Sequence, residues 1–319
     1  MTVATTGPSN RRGGAAPGTL GRSRSRHGER IIQALLFLAA LISVATTLGI
    51  IFALAEPTIE FFGSVSIVDF LTGTNWAPLF SDPHFGVLPL VGATLVVTVI
   101  ALAVAVPLGL GAAVYLSEYA KASSRRVLKP LLEVLAGIPT VVYGFFALTA
   151  VTPALRAIWP GSGDGPEVFN ALSAGVVMGI MIIPTIASLS EDAMSAVPHG
   201  LRDGGYALGS SRMQVAQRIV VPAALSGIVA AFVLGISRAL GETMIVAIAA
   251  GGRPNLSVNP LEGMQTMTAF IAAAGIGDQP TGSVGYKTIF AVGSLLFLLT
   301  FVMNMLSIRL VRRFREVYE

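Results

Sequence analysis

The 319-residue chain contains no cysteine. Disulfides, thiolate metal sites and thiol nucleophiles are therefore excluded. Histidine is nearly absent as well. The three present, His27, His84 and His199, all lie outside the apolar runs, so neither a histidine-based metal centre nor a cofactor site is expected. Charge is also scarce. Only 12% of the residues are Asp, Glu, Lys or Arg, against about 25% in a soluble domain. No GxxxxGK[ST] loop occurs, so the chain does not hydrolyse ATP by a P-loop mechanism. Ser-His-Asp, HExxH and CxxC arrangements are missing too. An enzyme is a poor fit to these absences.

Apolar residues take the space that charge leaves. A membrane-spanning helix needs about 20 mostly apolar residues. Six stretches qualify: 31–56, 87–117, 128–153, 170–190, 223–250 and 287–308. The expected architecture is an all-α integral membrane domain of six transmembrane helices over residues 31–311, followed by a short tail, 312–319. Residues 1–30 are rich in Gly, Ser, Arg and Pro and have no apolar period, so they read as a disordered basic tail. Ala53-Leu54-Ala55 looks like a signal-peptide cleavage site. The apolar stretch before it exceeds 20 residues, against about 7–15 in a signal peptide, and reads as a retained anchor.

The net charge of +4 resembles a nucleic-acid signal until it is mapped. Of the 21 basic residues, 17 fall on one side of the six spans, in the two tails and in the loops after spans 2 and 4. Only Arg156, Arg253 and Lys287 fall on the other side. The positive-inside rule then places both termini in the cytoplasm, and basic residues gathered at loop ends in this way give no reason to expect a nucleic-acid partner. The outer segment 57–86 holds Glu60, Asp69, Trp76 and Asp82 but no Lys or Arg. The outer segment 251–286 contains a moderately apolar patch, Met264–Ala274, which fits either a short re-entrant segment or an ordinary surface loop. Several spans carry helix breakers: Pro107 with Gly109 and Gly111, Gly137 with Pro139, and Pro184. They fit plain kinks or a kinked pathway equally.

The remaining basic residue, Arg238, lies inside span 5 with Glu242 four positions on. On a continuous helix the two share one face. An Arg at the bilayer centre costs about 2.5–3.5 kcal/mol on insertion scales, so such residues face a bundle interior or a wet cavity. Two roles are compatible with this. The pair neutralises itself as a packing device, or Arg238 presents its planar fork of donors to an oxyanion, with Glu242 and Thr243 beside it. A neighbouring carboxylate favours an anion that still carries a proton. Phosphate near neutral pH does; sulfate does not.

Between spans 4 and 5, in the loop 191–222, Asp203-Gly204-Gly205 precedes Gly209 by three residues, and Ile219-Val-Val-Pro222 comes after nine more. This spacing resembles the EAA loop of ABC importer permeases, the part that touches the ATPase. The resemblance implies ATPase-coupling roles for Asp203, Gly204, Gly205, Gly209, Ile219 and Pro222. The loop departs from the pattern in having Asp203 for Glu and a Gly pair, which costs about 1 kcal/mol per Gly in a helix. A coupling helix is therefore expected to start only after Gly205, with Asp203 as its cap.

Three further motifs narrow the resemblance. Gly235-Ile-Ser-Arg-Ala-Leu-Gly-Glu-Thr-Met244, Leu135-Ala-Gly-Ile-Pro-Thr-Val-Val-Tyr-Gly144 and Met181-Ile-Ile-Pro-Thr-Ile-Ala-Ser-Leu-Ser190 resemble segments of phosphate ABC importer permeases of the PstC type. The similarity covers roughly residues 86–311. It implies a type I, MetI-like permease fold and alternating access for inorganic phosphate. It also implies a paralogous PstA-like permease subunit, a PstB-like ATPase dimer and an extracytoplasmic PstS-like phosphate-binding protein, and it carries the family's functional pair onto Arg238 and Glu242. Two alternatives stay open: a permease for another oxyanion such as sulfate or molybdate, and a secondary transporter that uses the charged pair as a proton relay.

Overall fold

The computed structural model describes residues 27–159 and 165–313. Most of the expected N-terminal tail and nearly all of the C-terminal one fall outside them. The first helix, α1 (His27–Phe62), runs without a break. Its residues 29–53 are all exposed, and apolar side chains such as Leu36, Phe37 and Phe52 suit a lipid environment rather than water. From residue 54 onward α1 packs against protein. Thr58 hydrogen-bonds Ser294 at 2.9 Å, and Glu60 pairs with Lys287 at 2.8 Å.

The chain then forms α2 (Ile67–Thr72) and a two-stranded antiparallel pair, β1 (Trp76–Ala77) with β2 (His84–Phe85), in the register Trp76↔Phe85. These short elements close over an aromatic cluster. Phe61, Phe70, Phe85, Trp76 and Phe270 meet edge to face at centroid distances of 4.9–6.2 Å. Next comes α3 (Leu88–Val114), which ends in a π turn, Tyr115–Tyr119.

Span 3 departs from expectation. Residues 128–153 are not one helix. An amphipathic helix, α4 (Ala122–Ala136), comes first and breaks at Gly137-Ile138-Pro139. The span itself is α5 (Thr140–Phe146), a π turn (Ala147–Val151) and α6 (Thr152–Ile158). Hydropathy alone merged α4 with the span. Pro139 stops that helix because it has no N–H to donate and disfavours helical geometry in the residue before it. Tyr143 bridges the break by donating to the Leu135 carbonyl at 2.8 Å.

Helix α7 (Ala171–Ser195) is the axis of the fold. Asn170 caps it by accepting from the Ser173 N–H at 2.7 Å. Pro107 and Pro184 are both absorbed inside continuous helices, α3 and α7. The two helices lie unusually close. A Cβ at Gly179 would sit 2.7 Å from the Ala101 carbonyl oxygen and 2.8 Å from Val104. A Cβ at Gly175 would sit 2.7 Å from Ile100. Gly175 and Gly179 are four apart, the small-residue spacing that lets membrane helices meet backbone to backbone. Ala101 and Ala105 face them, fully buried.

After α7 come α8 (His199–Ala207), α9 (Arg212–Val215), a π turn (Ala216–Val220) and α10 (Val221–Ala223). The chain bends by 72° into α11 (Leu225–Leu240). A short buried helix, α12 (Met267–Ile276), and the long α13 (Val284–Arg313) complete the fold. Both π turns at 147–151 and 216–220 are followed within two residues by a proline, Pro153 or Pro222. Each proline lacks the N–H that would continue the α pattern, and the widened turn absorbs the gap. The described residues thus contain five helices long and apolar enough to cross a membrane, and the bent pair ending in α11 supplies a sixth.

The α3–α7 contact yields a first prediction. Gly179→Ala overpacks a backbone contact, a class of change that costs about 1–3 kcal/mol. The detergent-solubilised protein should lose thermal stability in a fluorescence-detected melting assay, while Gly111→Ala, whose added Cβ would meet open space, should not. Equal melting of the two variants would contradict the close approach.

Candidate functional site

Span 5 is broken where the sequence suggested a continuous face. Helix α11 ends at Leu240 and Gly241 is its C-cap. Helical geometry resumes only at Met244 and continues through a π turn, Val246–Ala250. Arg238 therefore sits in the last turn of α11, while Glu242 and Thr243 sit in the break. The expectation that Arg238 and Glu242 share one helical face is corrected. Among the described residues no ion pair joins them, and Arg238 is exposed on this chain.

The break frees backbone groups that lipid cannot satisfy. Glu242 satisfies two of them. Its Oε1 accepts from the Met244 N–H at 3.1 Å and the Ile245 N–H at 3.3 Å. This is how a carboxylate caps a helix N-terminus. The Glu242 carbonyl accepts from the Thr268 hydroxyl at 2.6 Å. Thr243 adds its carbonyl to the Ala247 N–H at 3.0 Å, and its hydroxyl reaches the Gly241 carbonyl at 3.4 Å.

Thr268 belongs to α12, which decides between the two forms open to the patch Met264–Ala274. Met264, Met267 and Phe270 are buried. The Met267 N–H donates to the Thr94 hydroxyl on α3 at 3.1 Å. The patch is a short helix seated inside the bundle against the break, not a surface loop. Thr266 caps it by accepting from Ala269 at 3.2 Å. Outside it, Glu262 accepts from Asn255 at 2.6 Å and Asn259 at 2.9 Å. Asn259 first, then Ser257, Asn255 and the nearby Arg253, hold its carboxyl below the ordinary Glu range.

The second set of residues lies on the loop after α7. The expected loop 191–222 begins later than the sequence suggested, because α7 continues through Ser195. Helix α8 also begins earlier, at His199, with Pro198 as its N-cap. Asp203 is thus inside the helix rather than capping it, and both glycines are helical. Packing explains Gly205: a Cβ there would sit 2.6 Å from Ile219 and 3.0 Å from Val215. The contact outweighs the propensity cost of about 1 kcal/mol. Gly209 ends the helix with φ +80°, the left-handed geometry that favours glycine. Ser211 then starts α9 in a capping box with Gln214. Asp203, Gly204, Tyr206, Leu208 and Met213 are exposed, and Pro222 is exposed on α10. The structure brings Gly205 against Ile219 and leaves Asp203, Gly204, Gly209 and Pro222 exposed on the same loop. It keeps them apart from Arg238, thirteen residues or about 20 Å along α11 from its start at Leu225.

Sequence reasoning missed two buried carboxylates near this loop. Glu191, 1% exposed, meets Arg125 and Lys129 of α4, the latter at 2.8 Å, and Lys129 also reaches Asp192 at 2.8 Å. Asp192 and Glu191 together hold the Lys129 ammonium above its ordinary range. Glu118, 4% exposed, pairs with Arg202 at 2.9 Å. The available signal was the i, i+4 spacing of Arg125 and Lys129 on an amphipathic segment. A groove of about 950 Å³ between α7, α11 and α13 is lined by Leu189, Ala230, Leu234, Ser237, Asn304 and Ile308 among others. With no cation in its lining it does not suit an anion.

The role of Glu242 in the break is separable from its charge. Glu242→Gln keeps an acceptor oxygen for both amides and should preserve assembly. Glu242→Ala leaves two amides without a partner, at about 1–3 kcal/mol each, and should lower the amount of folded protein recovered from membranes. Equal recovery of the two variants would contradict the capping role.

Comparison with known proteins agrees with this fold. Residues 105–316 match the family described as binding-protein-dependent transport system inner membrane component. The chain is 38% identical over 269 residues to the probable ABC transporter permease protein YqgH of Bacillus subtilis, covering 84% of this chain and 85% of the relative. It is 31% identical over 294 residues to the phosphate transport system permease protein PstC of Mesorhizobium japonicum, covering 86% of each. Among solved structures, a bacterial alginate ABC transporter complex aligns with a TM-score of 0.61 at 15% identity, covering 91% of this chain and 98% of that one. The MetNI methionine ABC transporter aligns with a TM-score of 0.52 at 22% identity, covering 72% and 95%. At those identities the likeness shows the fold, a MetI-like importer permease. With its apolar helices, broken fifth span and the family match over most of its length, this chain belongs to the binding-protein-dependent transport system inner membrane component family: it is a multi-pass inner-membrane ABC importer permease, a non-catalytic subunit that works with an ATPase and a binding protein.

Proposed function

We propose that this permease carries inorganic phosphate into a bacterial cell, and that Arg238 recognises the anion on the path. The observation that carries the reading is the division of labour at the break. Arg238 is exposed in the last turn of α11 and forms no ion pair among the described residues, while Glu242 Oε1 is committed to backbone amides. A guanidinium at membrane depth without a carboxylate partner suits an oxyanion, which it binds through two parallel donors. Glu242 Oε2 accepts no hydrogen bond among the described residues, which leaves it to accept one from the hydroxyl of a protonated phosphate. Thr243 adds a hydroxyl to the same break. The relatives named as PstC phosphate permeases support this substrate.

The loop α8–α9 is the contact for the ATPase in this reading, through Asp203, Gly204 and the exposed Leu208 and Met213. Gly205, Gly209, Ile219 and Pro222 shape that surface. The full assembly comprises a PstA-like paralogous permease, a PstB-like ATPase dimer and a PstS-like phosphate-binding protein outside. The charge asymmetry of the loops supports a cytoplasmic position for both termini. Single cysteines at Ser123 and Val258, the latter 87% exposed, should then label from opposite faces of the membrane. Labelling from one face would overturn the orientation.

Phosphate uptake in vesicles with matched amounts of complex tests the site. Arg238→Gln removes a charge-assisted hydrogen-bond donor worth about 1.5–3 kcal/mol and should lower uptake by about tenfold or more. Arg238→Lys should fall between, because it keeps the charge but loses the fork. Near-normal uptake by Arg238→Gln would refute the anion site.

A further inference from the structure

The loop after α7 grips the π turn at the end of α3 at two successive residues, and we infer that this π turn, through Glu118 with Arg202 and Tyr119 with Arg212, is the relay that passes movement of α8 to the transmembrane core. The inference rests on the reading of α8 as the ATPase contact. It assigns Glu118, Arg202, Tyr119 and Arg212 as positioning residues for transport.

The loop is folded largely upon itself. Helix α8 has its main backbone neighbours in α9 and the π turn after it, and Gly205 seats it against Ile219 and Val215. Arg202 reaches out of that unit into the bundle. Its Nε and Nη2 donate to Glu118 Oε1 at 3.3 and 2.9 Å. Its Nη1 donates to the Val197 carbonyl at 2.6 Å, and its Nη2 also donates to the Met194 carbonyl at 2.8 Å. The last two oxygens lie at the C-terminal end of α7, where a helix favours a cation. One guanidinium thus holds α8 to α3 and α7 together. A second link runs parallel to it, with the Arg212 guanidinium 5.3 Å from the centre of the Tyr119 ring.

The π turn itself makes both links possible. The Ala120 N–H donates to the Tyr115 carbonyl at 2.7 Å, five residues back. One residue more than an α turn holds rotates the end of the helix by about 100° around its axis. Glu118 and Tyr119 are the residues so placed. Glu118 and Arg202 are 4% and 11% exposed, and burying such a pair is a poor route to stability. Its worth lies in fixing one arrangement. Beyond the grip, α3 and α7 are joined along the Gly175–Gly179 contact, so a pull on their ends moves them as one body.

The test uses the assembled transporter in vesicles with its binding protein, measuring inorganic phosphate taken up per ATP hydrolysed. Glu118→Gln and Arg202→Gln should each leave the ATPase bound while uptake per ATP falls at least about fivefold, the lower end of site-to-site couplings. Because the chain has no cysteine, the double variant Glu118→Cys/Arg202→Cys can be bridged by a reducible thiol reagent. Bridging should restore uptake per ATP and reduction should remove it again, which keeps the test open if the single variants assemble poorly. An unchanged ratio in assembled variants, or a bridge without effect, overturns the relay and leaves the pair a packing device. The underlying reading is tested separately by a photo-crosslinking residue in place of Leu208 in the otherwise unchanged chain. No crosslink to the ATPase sinks the docking surface, whereas a crosslink with an unchanged ratio sinks the relay alone.

Discussion

The close approach of α3 and α7 is the constraint on which the rest of the structure depends. Gly175 and Gly179 let the backbone of α7 rest against Ala101 and Val104. In a membrane there is no hydrophobic drive to bring helices together, so contact of this kind and hydrogen bonds supply the attraction. The pair then acts as a platform. Gly235 of α11 lies against Ile182 and Ile186 of α7, and α12 donates to Thr94 of α3. The broken span is held between these two contacts. At the other end, Glu118 of the π turn after α3 and Glu191 of α7 receive the basic side chains of α8 and α4.

The break in span 5 shows how a lipid environment assigns roles to charges. An open backbone inside a bundle is tolerated only where its polar groups find partners. Glu242 and Thr268 are those partners. Once Glu242 is occupied in this way, Arg238 has no carboxylate among the described residues to neutralise it. Two residues that look like a self-cancelling pair in the sequence become a structural anion and an available cation. The proposed selectivity for an anion bearing a proton rests on the second Glu242 oxygen, Oε2, which the Met244 and Ile245 amides leave open.

Much of the fold was legible in the sequence because hydropathy, charge asymmetry and loop spacing are one-dimensional signals. The spans at 87–117, 170–190 and 287–308 correspond to α3, α7 and α13, with ends that agree to within about five residues. The rest depended on contacts between distant residues. The stop at Pro139 separated α4 from its span, since an average over apolar residues does not register a missing N–H. The break at Gly241 was hidden because Arg238 and Glu242 fit a helical period, and the Thr268 hydroxyl that satisfies the break comes from 26 residues away. Gly204 and Gly205 looked like helix breakers, yet Gly205 is helical because Ile219 and Val215 need the space of its missing side chain. Glu118 gave no signal by itself. Its partner, Arg202 on α8, is 84 residues away, and no local spacing announces a contact of that range.

Selectivity in a reconstituted system tests the central claim most directly. Proteoliposomes containing the complete transporter, supplied with ATP and the binding protein, would be given labelled phosphate against an excess of sulfate or molybdate. ATP-dependent phosphate uptake that neither competitor suppresses is the expected result, because neither offers a proton to the Glu242 carboxylate at neutral pH. Sulfate or molybdate carried in preference to phosphate would contradict it.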